Sequence, residues 1–286
     1  MIRYQFLRFP EGKTKALTFS YDDGCIEDPR LSDILSEHGL KGTFNLTGNI
    51  IRGKNALPKE VVVSKFLDRG HEIAVHGLFH RAEGNIRPIE GIRDVLDCRL
   101  ELEERYEMII RGMAYPDSGI RQFTNVSGYE TVRNYLSELD IAYARTLGAD
   151  NDSFDLPTDW LCWMPTCHHD QPKIFEWAEK FLELDVNAQY ASARQPRLFF
   201  IWGHAFELRL KDNWDHMERI CDTFAGRDDI WYATNIEIHD YVEAYRSLRY
   251  SADGRRIYNP TLMTVWFDID KTLYSIAPGE TIVIDK

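Results

Sequence analysis

Short apolar segments alternate with longer amphipathic ones, and this alternation constrains the fold of the chain more than any other feature. Runs rich in β-branched or aromatic residues predict strands, and a segment with helical spacing of apolar residues follows each of them. The predicted strands span residues 16–20, 42–46, 71–75, 109–114, 141–145, 198–202 and 230–234. The helices that follow them span residues 28–37, 59–68, 88–106, 127–139, 171–184, 214–224 and 237–248. Repeated βα pairs are typical of a parallel sheet covered by helices.

The number of pairs favours one architecture within this class. Seven consecutive βα pairs between residues 16 and 248 favour a closed, irregular (β/α)7-type barrel over an open doubly wound sheet. In the third helix, apolar residues recur at spacings of three and four, which predicts the face that packs on the sheet. These residues are Ile89, Ile92, Leu96 and Leu100.

The chain changes character near residue 250. Turn signals at Gly254 and Pro260 are followed by alternating apolar residues over 264–269, 273–276 and 281–284. We therefore predict a barrel domain over residues 1–250 and a small C-terminal β appendage over residues 251–286. Three roles for the appendage remain open: it covers the base of the barrel, supports a homo-oligomer or contacts the substrate.

Composition limits the partners of this chain. The 286 residues are 44% hydrophobic and include 34 Lys and Arg against 46 Asp and Glu, a formal net charge of −12. A surface this acidic repels nucleic acid and anionic membranes, so we expect neither as a partner. No apolar run approaches the ~18 residues of a membrane helix, and the first ten residues lack the apolar core of a signal peptide. Five scattered cysteines do not form a disulfide framework, and a cytoplasmic location is expected.

Ionisable side chains stand near the ends of the predicted strands. Because the carboxyl ends of barrel strands meet on one rim, we expect these side chains to lie close together. Adjacent carboxylates can divide two tasks, since a cation on one leaves the other free to act as a base. Histidines four residues apart can reach a single ion. The residues are Asp22 and Asp23 after the first strand, His76 and His80 after the third, Arg111 in or just after the fourth, and His204 at the end of the sixth.

Each feature taken alone has a simpler interpretation. Two aspartates before Gly24 form a solvated turn in many proteins, and a His-x-x-x-His spacing often binds nothing. Arg111 fits a structural ion pair, and His204 fits a buried hydrogen bond. Their joint placement near strand ends argues for a site.

These residues also carry a family resemblance. Over roughly residues 14–248 the chain resembles the polysaccharide deacetylases, or carbohydrate esterase family 4, and in particular chitooligosaccharide deacetylases. The similar motifs are Thr18-Phe19 with Asp22-Asp23-Gly24, interrupted by Ser20-Tyr21; His76 with His80; Arg111 with Tyr115-Pro116; and Ile201-Trp202-Gly203-His204.

The resemblance implies a role for each of these residues. It implies that Asp22 is the catalytic base, with Arg111 as its partner, and that His204 is the general acid. Asp23, His76 and His80 are implied to bind a divalent ion. For these nitrogen and oxygen ligands Zn²⁺ is the default, and Co²⁺, Ni²⁺ and Fe²⁺ also suit the set.

The chain departs from the family pattern at several positions. Gly77 replaces a Ser or Thr, Trp202 replaces a leucine beside the acetyl pocket, and Asp117-Ser118-Gly119 replaces an aromatic-glycine pair. Asp159-Trp160 is the nearest match to the fourth motif, an Asp-Trp pair that flanks the acid histidine.

Aromatic faces suit sugar rings, which adds candidates for substrate contact. We expect Tyr115, Trp160, Trp163, His168 and Trp202 to bind substrate. A structural zinc held by Cys162, Cys167, His168 and His169 is the competing interpretation of the 162–169 segment, although this spacing is not a standard zinc pattern.

The predicted function is metal-dependent removal of N-acetyl groups from amino-sugar oligosaccharides or related glycans by metal-activated water. Activity is expected to fail in acid, because His76 and His80 must be neutral to bind the ion. Two alternatives keep the same residues: hydrolysis of a non-sugar, cyclic ureide-like amide, and a catalytically inactive carbohydrate-binding protein. Acetate release from a panel of chitooligosaccharides separates them.

Overall fold

A parallel sheet forms the centre of the computed structural model, which describes residues 3–48, 56–117, 126–147 and 150–284. The strands in chain order are β1 Gln5–Arg8, β2 Lys15–Tyr21, β3 Gly42–Leu46, β4 Glu72–Val75, β5 Gly112–Ala114, β6 Tyr143–Arg145, β7 Cys167–His168, β8 Arg197–Gly203, β9 Ile230–Tyr232, β10 Arg249–Tyr250, β11 Arg256–Tyr258, β12 Val265–Ile269, β13 Thr272–Ile276 and β14 Thr281–Val283. The α-helices are α1 Asp28–Glu37, α2 Lys59–Lys65, α3 Pro88–Tyr106, α4 Tyr129–Glu138, α5 Ile174–Glu183, α6 Ala205–Leu210, α7 Trp214–Phe224 and α8 Asn235–Arg246.

The central sheet has the order β6-β5-β4-β3-β2-β8-β7, and β9 pairs with the first half of β2. All of these pairings are parallel. A bridge between Arg145 of β6 and Trp163, in the segment that leads into β7, links the two edge strands. The sheet therefore curls into the irregular (β/α)7-type barrel that the sequence predicts.

Helices cover the outside of the sheet and bury their apolar faces on it. The predicted bounds of α1, α3 and α7 match the structure. The predicted face of α3 is wrong at Ile89 and Leu100, which are exposed, whereas Ile92 packs against the core. The buried residues of this helix lie on a neighbouring stripe that includes Val95, Cys98 and Leu102. The small Gly91 lies on that stripe and lets α3 approach Tyr135 of α4 closely.

Two small antiparallel sheets lie outside the barrel. One has the order β1-β12-β13 and the other β10-β11-β14, so the appendage predicted after residue 250 also includes a strand from the start of the chain. Strand β1 was not predicted from the sequence. A buried cluster joins the first of these sheets to the segment that precedes β8: Arg8 and Arg194 both pair with Asp268, and all three side chains are almost fully buried. The division into two domains at residue 250 stays a prediction.

Within the residues that the structure describes, no helix has both the length and the apolar composition to cross a membrane.

Candidate metal centre and active site

Strand β2 carries the two adjacent carboxylates to the carboxyl edge of the sheet. The strand is buried along its length and ends at Tyr21, so Asp22 and Asp23 follow at the rim. The Asp22 N–H donates to the Gly203 carbonyl of β8 at 3.1 Å. Asp23 and Gly24 have φ values of 80° and 68°, a left-handed conformation that turns the chain sharply. This turn lets the two carboxylates face different partners.

The two histidines of the second motif lie in a loop after β4, and not on a helix. Gly77 and His80 have φ values of 74° and 53°, which bend the loop back on itself. The rings of His76 and His80 are 4.8 Å apart at an interplanar angle of 74°. The Gly77 site is tight, because a Cβ there would lie 2.4 Å from the Asp94 Oδ2 atom. The family resemblance implies a Ser or Thr at this position. The loop holds glycine there because it has no room for a side chain.

Asp23, His76 and His80 form a triad that fits a divalent cation. The Asp23 Oδ1 atom lies 3.6 Å from His76 Nε2 and 3.3 Å from His80 Nε2. The candidate ligand atoms of all three residues lie within 4.8 Å of one another. One carboxylate and two imidazoles are a common ligand set for Zn²⁺ and similar ions, and they leave coordination positions open.

A hydrogen bond fixes the tautomer that a metal ligand needs. His76 Nδ1 donates to the Ala114 carbonyl at 2.9 Å, which leaves the Nε2 lone pair free on the side of Asp23. Burial lowers the pKa of His76 below its usual range, against the opposing effect of Asp22 and Asp23. The ring is therefore neutral near pH 7, the form that can bind a cation. The orientation and protonation of His76 both fit the cation.

Asp22 lies behind this triad in a buried, positively charged environment. Its side chain accepts hydrogen bonds from Asn45 Nδ2 at 2.8 Å and from the Arg145 guanidinium. His76 Nε2 and His204 Nε2 each lie 3.9 Å from Asp22 Oδ2. Burial alone would raise the pKa of Asp22, but Arg145 and the two histidines outweigh it and hold the pKa below its usual value. Asp22 is thus ionised and able to accept a proton.

The predicted contact between Arg111 and Asp22 is wrong. Arg111 precedes β5 and lies at the amino edge of the sheet, where it forms ion pairs with Asp140 and Asp240 at 3.5 and 3.6 Å. Arg145 ends β6 at the carboxyl edge, and its side chain is 0% exposed. The rule that selected the other site residues, a charged side chain at the end of a strand, would have selected Arg145.

His204 follows β8 and faces Asp22 across the rim. Its Nδ1 atom lies 3.5 Å from Glu207 Oε1, in the first turn of α6. Burial lowers the pKa of His204, but the carboxylates of Glu207, Asp22 and Asp23 reverse this effect and raise the pKa above its usual value. His204 is therefore better able to hold and donate a proton near neutral pH than a free histidine. From the sequence, Glu207 and Asp215 are weaker candidates for orienting His204, with capping of the next helix as the preferred interpretation; the structure places Glu207 beside His204.

The residues expected to bind substrate separate into two groups. Trp202 and His168 lie at the site: their rings are 4.6 Å apart, and the Arg145 guanidinium stacks on Trp202 at 4.8 Å. Tyr115 and Trp163 are buried core residues, so their side chains are not available to a ligand. The backbone N–H of Tyr115 is also occupied, because it donates to the Arg145 carbonyl.

Trp160 and the fourth-motif aspartate lie away from His204. Trp160 donates its indole N–H to Glu243 and lines a surface depression together with Arg111. Asp159 accepts hydrogen bonds from Tyr129 and Arg133. The match of Asp159-Trp160 to the motif that flanks the acid histidine is therefore wrong, and so is the expected substrate contact of Trp160.

A second cluster of metal-ligating side chains adjoins the first site. It comprises His168, His169, Asp170 and Glu207, whose candidate ligand atoms also lie within 4.8 Å of one another. The zinc site with Cys162 and Cys167 is wrong in its cysteine ligands, because this cluster contains neither of them.

The fold and the geometry define a (β/α)7-type barrel with a candidate metal triad and a buried base at its carboxyl rim. Residues 9–143, which include the triad and Asp22, match the polysaccharide deacetylase family model. The chain is similar to this family over 135 of its 286 residues, just under half of its length. Arg145 and His204 lie beyond the matched residues.

Individual proteins named for the same chemistry are also similar to parts of this chain. Peptidoglycan-N-acetylmuramic acid deacetylase PdaA of Bacillus subtilis is 27% identical over 97 residues, which is 33% of this chain and 35% of PdaA. The chain thus aligns with about a third of the length of that relative. A crystal structure from Mycobacterium smegmatis, of a protein named for the same family, has a TM-score of 0.56 at 18% identity and covers 84% of this chain and 94% of its own. That likeness shows the fold.

Proposed function

We propose that the chain is a metal-dependent hydrolase that removes N-acetyl groups from amino-sugar oligosaccharides or related glycans. The observation that carries the proposal is the meeting of an ionised buried base, a proton-bearing histidine and a cation-binding triad at one rim. Asp22 is the base, His204 is the histidine, and Asp23, His76 and His80 form the triad. The match of residues 9–143 to the polysaccharide deacetylase family model supports the same chemistry.

The triad would hold the cation, with Zn²⁺ as the proposed ion and Co²⁺, Ni²⁺ or Fe²⁺ as ions that the same ligands accept. When bound there, a divalent ion supplies Lewis acidity toward an amide carbonyl and makes water more acidic. His76 and Asp23 differ in exposure: the histidine is buried, whereas the Asp23 and His80 side chains are about one-third exposed. The triad is therefore open to a ligand on the side of Asp23 and His80.

Asp22 would act as the general base. Its Oδ2 atom faces both His76 and His204, so a water molecule between the rim and the substrate carbonyl can pass a proton to it. Arg145 keeps the carboxylate ionised before the reaction, and Asn45 holds its other oxygen. Because Arg145 and Asn45 hold the Asp22 carboxylate in place, the base needs no rearrangement to act.

His204 would donate the proton that the leaving amine requires. An amine anion is a poor leaving group, so the C–N bond breaks only when nitrogen receives a proton. Glu207 Oε1 lies 3.5 Å from Nδ1 and would orient the ring, with Nε2 on the side of Asp22. The products would be acetate and a free amino sugar.

The exposed residues around the site suit a carbohydrate. Trp202 and His168 present rings beside His204, and Phe79, which precedes His80, is 64% exposed. Aromatic faces next to polar groups are typical of sugar-binding clefts. A cytoplasmic location remains part of the proposal and rests on the odd, scattered set of cysteines.

The test is acetate release from a panel of substrates by the Zn²⁺-loaded chain and by the same preparation after chelation. The panel contains N-acetylated chitooligosaccharides, O-acetylated xylooligosaccharides and a cyclic ureide. We expect release from the chitooligosaccharides that chelation abolishes and Zn²⁺ restores. Opening of the ureide without acetate release from any sugar would contradict the proposal, and so would activity that survives chelation.

A further inference from the structure

A buried histidine without hydrogen-bond partners lies beside the proposed active site. The His169 side chain is 0% exposed, and in the described part of the chain no hydrogen bond reaches either ring nitrogen. An unpartnered buried polar group costs about 1–3 kcal/mol, so such groups are uncommon and call for an explanation. Binding of a ligand to the ring is one explanation, and the neighbouring side chains indicate which ligand.

The surrounding structure holds the His169 ring in place. Tyr21 stacks on it with ring centres 5.7 Å apart and an interplanar angle of 7°. On the other side, a Cβ at position 203 would lie 2.0 Å from His169 Nδ1, so only Gly203 leaves space for the ring. The orientation of the ring is therefore built into the barrel wall.

Two carboxylates face the ring nitrogen that points away from Gly203. Asp170 Oδ2 and Glu207 Oε2 each lie 3.4 Å from His169 Nε2. Ligands bound to Zn²⁺ at 2.0–2.1 Å in tetrahedral geometry are about 3.3 Å apart, so these separations suit a shared cation.

His168, the fourth residue of the cluster, holds a ligand in position and is not itself a ligand. The Asp170 N–H donates to His168 Nδ1 at 3.1 Å, which places the proton of the neutral ring on Nε2. That Nε2 atom lies 2.9 Å from Glu207 Oε2. His168 therefore holds the Glu207 carboxylate in position, as residues behind a metal ligand commonly do.

We propose that His169, Asp170 and Glu207 form a second divalent-cation site, separate from the Asp23–His76–His80 triad. The nitrogen and oxygen donors suit Zn²⁺ or Co²⁺, with water completing the coordination. Lys211 pairs with Asp170 and competes with a cation for it. Since the Lys211 side chain is 54% exposed, it can move into solvent when a cation binds. The second site is consequently weaker than the first.

The experiment is equilibrium dialysis of the metal-stripped full chain against buffered Zn²⁺, with the bound metal measured by mass spectrometry. We expect two ions per chain, one in His80→Ala and one in Asp170→Asn/Glu207→Gln. The variant that carries all three substitutions should bind none. Circular dichroism and thermal melting check that every variant is folded. Because the measurement is metal binding, a chain that binds both ions but releases no acetate from any sugar would overturn the proposed function and leave the second site supported.

Substitution of Lys211 is a second test, because it should strengthen cation binding where the other variants abolish it. Lys211→Met removes the competing charge and should tighten the second Zn²⁺ roughly five- to tenfold, the effect of one nearby unit charge in a mostly aqueous setting. Lys173→Met, on an exposed residue, is the matched control and should change nothing. A second ion that persists in Asp170→Asn/Glu207→Gln would overturn the proposal. So would a single ion in the unmodified chain that Asp170→Asn/Glu207→Gln retains, or equal affinities in the two lysine variants.

Discussion

Replacement of Arg145 by methionine tests how the proposed base is kept ionised. Arg145 and Asp22 are both almost fully buried. Without Arg145, the Asp22 side chain would keep, among the described residues, Asn45 at 2.8 Å and two histidine nitrogens at 3.9 Å. An arginine beside an aspartate lowers the pKa of the carboxyl by about 1–3 units. At 1.36 kcal/mol per unit, removal of Arg145 costs the ionised form about 1.4–4 kcal/mol. Breaking a buried ion pair costs about 3–5 kcal/mol of stability in other proteins, a similar range.

We therefore expect two results from Arg145→Met. The acid limb of the pH profile of kcat/KM should move up by about 1–3 units, because Asp22 must lose a proton before it can act as a base. The free energy of unfolding, from urea titration at pH 7, should fall by about 3 kcal/mol. The control is Arg111→Met, since Arg111 is 34% exposed and pairs only with Asp140 and Asp240 in the described part of the chain. A shifted limb in Arg111→Met and an unshifted one in Arg145→Met would refute the assignment.

Three further outcomes follow from single buried positions. Gly77→Ser restores the residue type that the family has there, yet it should lower Zn²⁺ affinity in dialysis and melt earlier than Gly39→Ser, because only at Gly77 would the new Cβ meet Asp94 at 2.4 Å. Burial raises the pKa of Glu72 to about 7, so its proton stabilises the fold below pH 4.5 and this stability is lost as pH rises through 7. The stability of the unmodified chain relative to Glu72→Gln should therefore fall by about 3 kcal/mol between pH 4.5 and 7 in urea titrations, and a flat difference would contradict this. Asp268→Asn leaves two buried arginines without their carboxylate and should cost about 3–5 kcal/mol, whereas exposed Asp253→Asn should cost almost nothing.

The parallel barrel could be predicted because its signals are local. Runs such as 42–46 and 88–106 carry the period of a strand or a helix, and both match the structure residue for residue. The packed face of α3 could not be predicted as well, because a buried glycine and a cysteine lie on it and two of its most apolar residues face solvent. Strand β1 was missed because its pairing with β12 joins segments about 260 residues apart.

The site was predictable where strand ends determine it. Asp22, Asp23 and His204 directly follow β2 and β8, and parallel strands bring these ends together. The partner of Asp22 was assigned incorrectly because the predicted strand 109–114 began three residues too early, which moved Arg111 toward the wrong edge. Asn45 lies within β3 and carries no signal that periodicity can detect. Contacts of this kind depend on the register between neighbouring strands, which a single sequence does not specify.

The most direct test of the central claim is the rate of acetate release by Asp22→Asn loaded with Zn²⁺ at the triad. Asparagine keeps the shape of the side chain and cannot accept the proton, and general-base catalysis contributes about 10²–10⁴-fold to such rates. We expect kcat to fall by a factor of this size, while the Zn²⁺ affinity of the triad is retained. Release at the unmodified rate from the metal-loaded variant would contradict it.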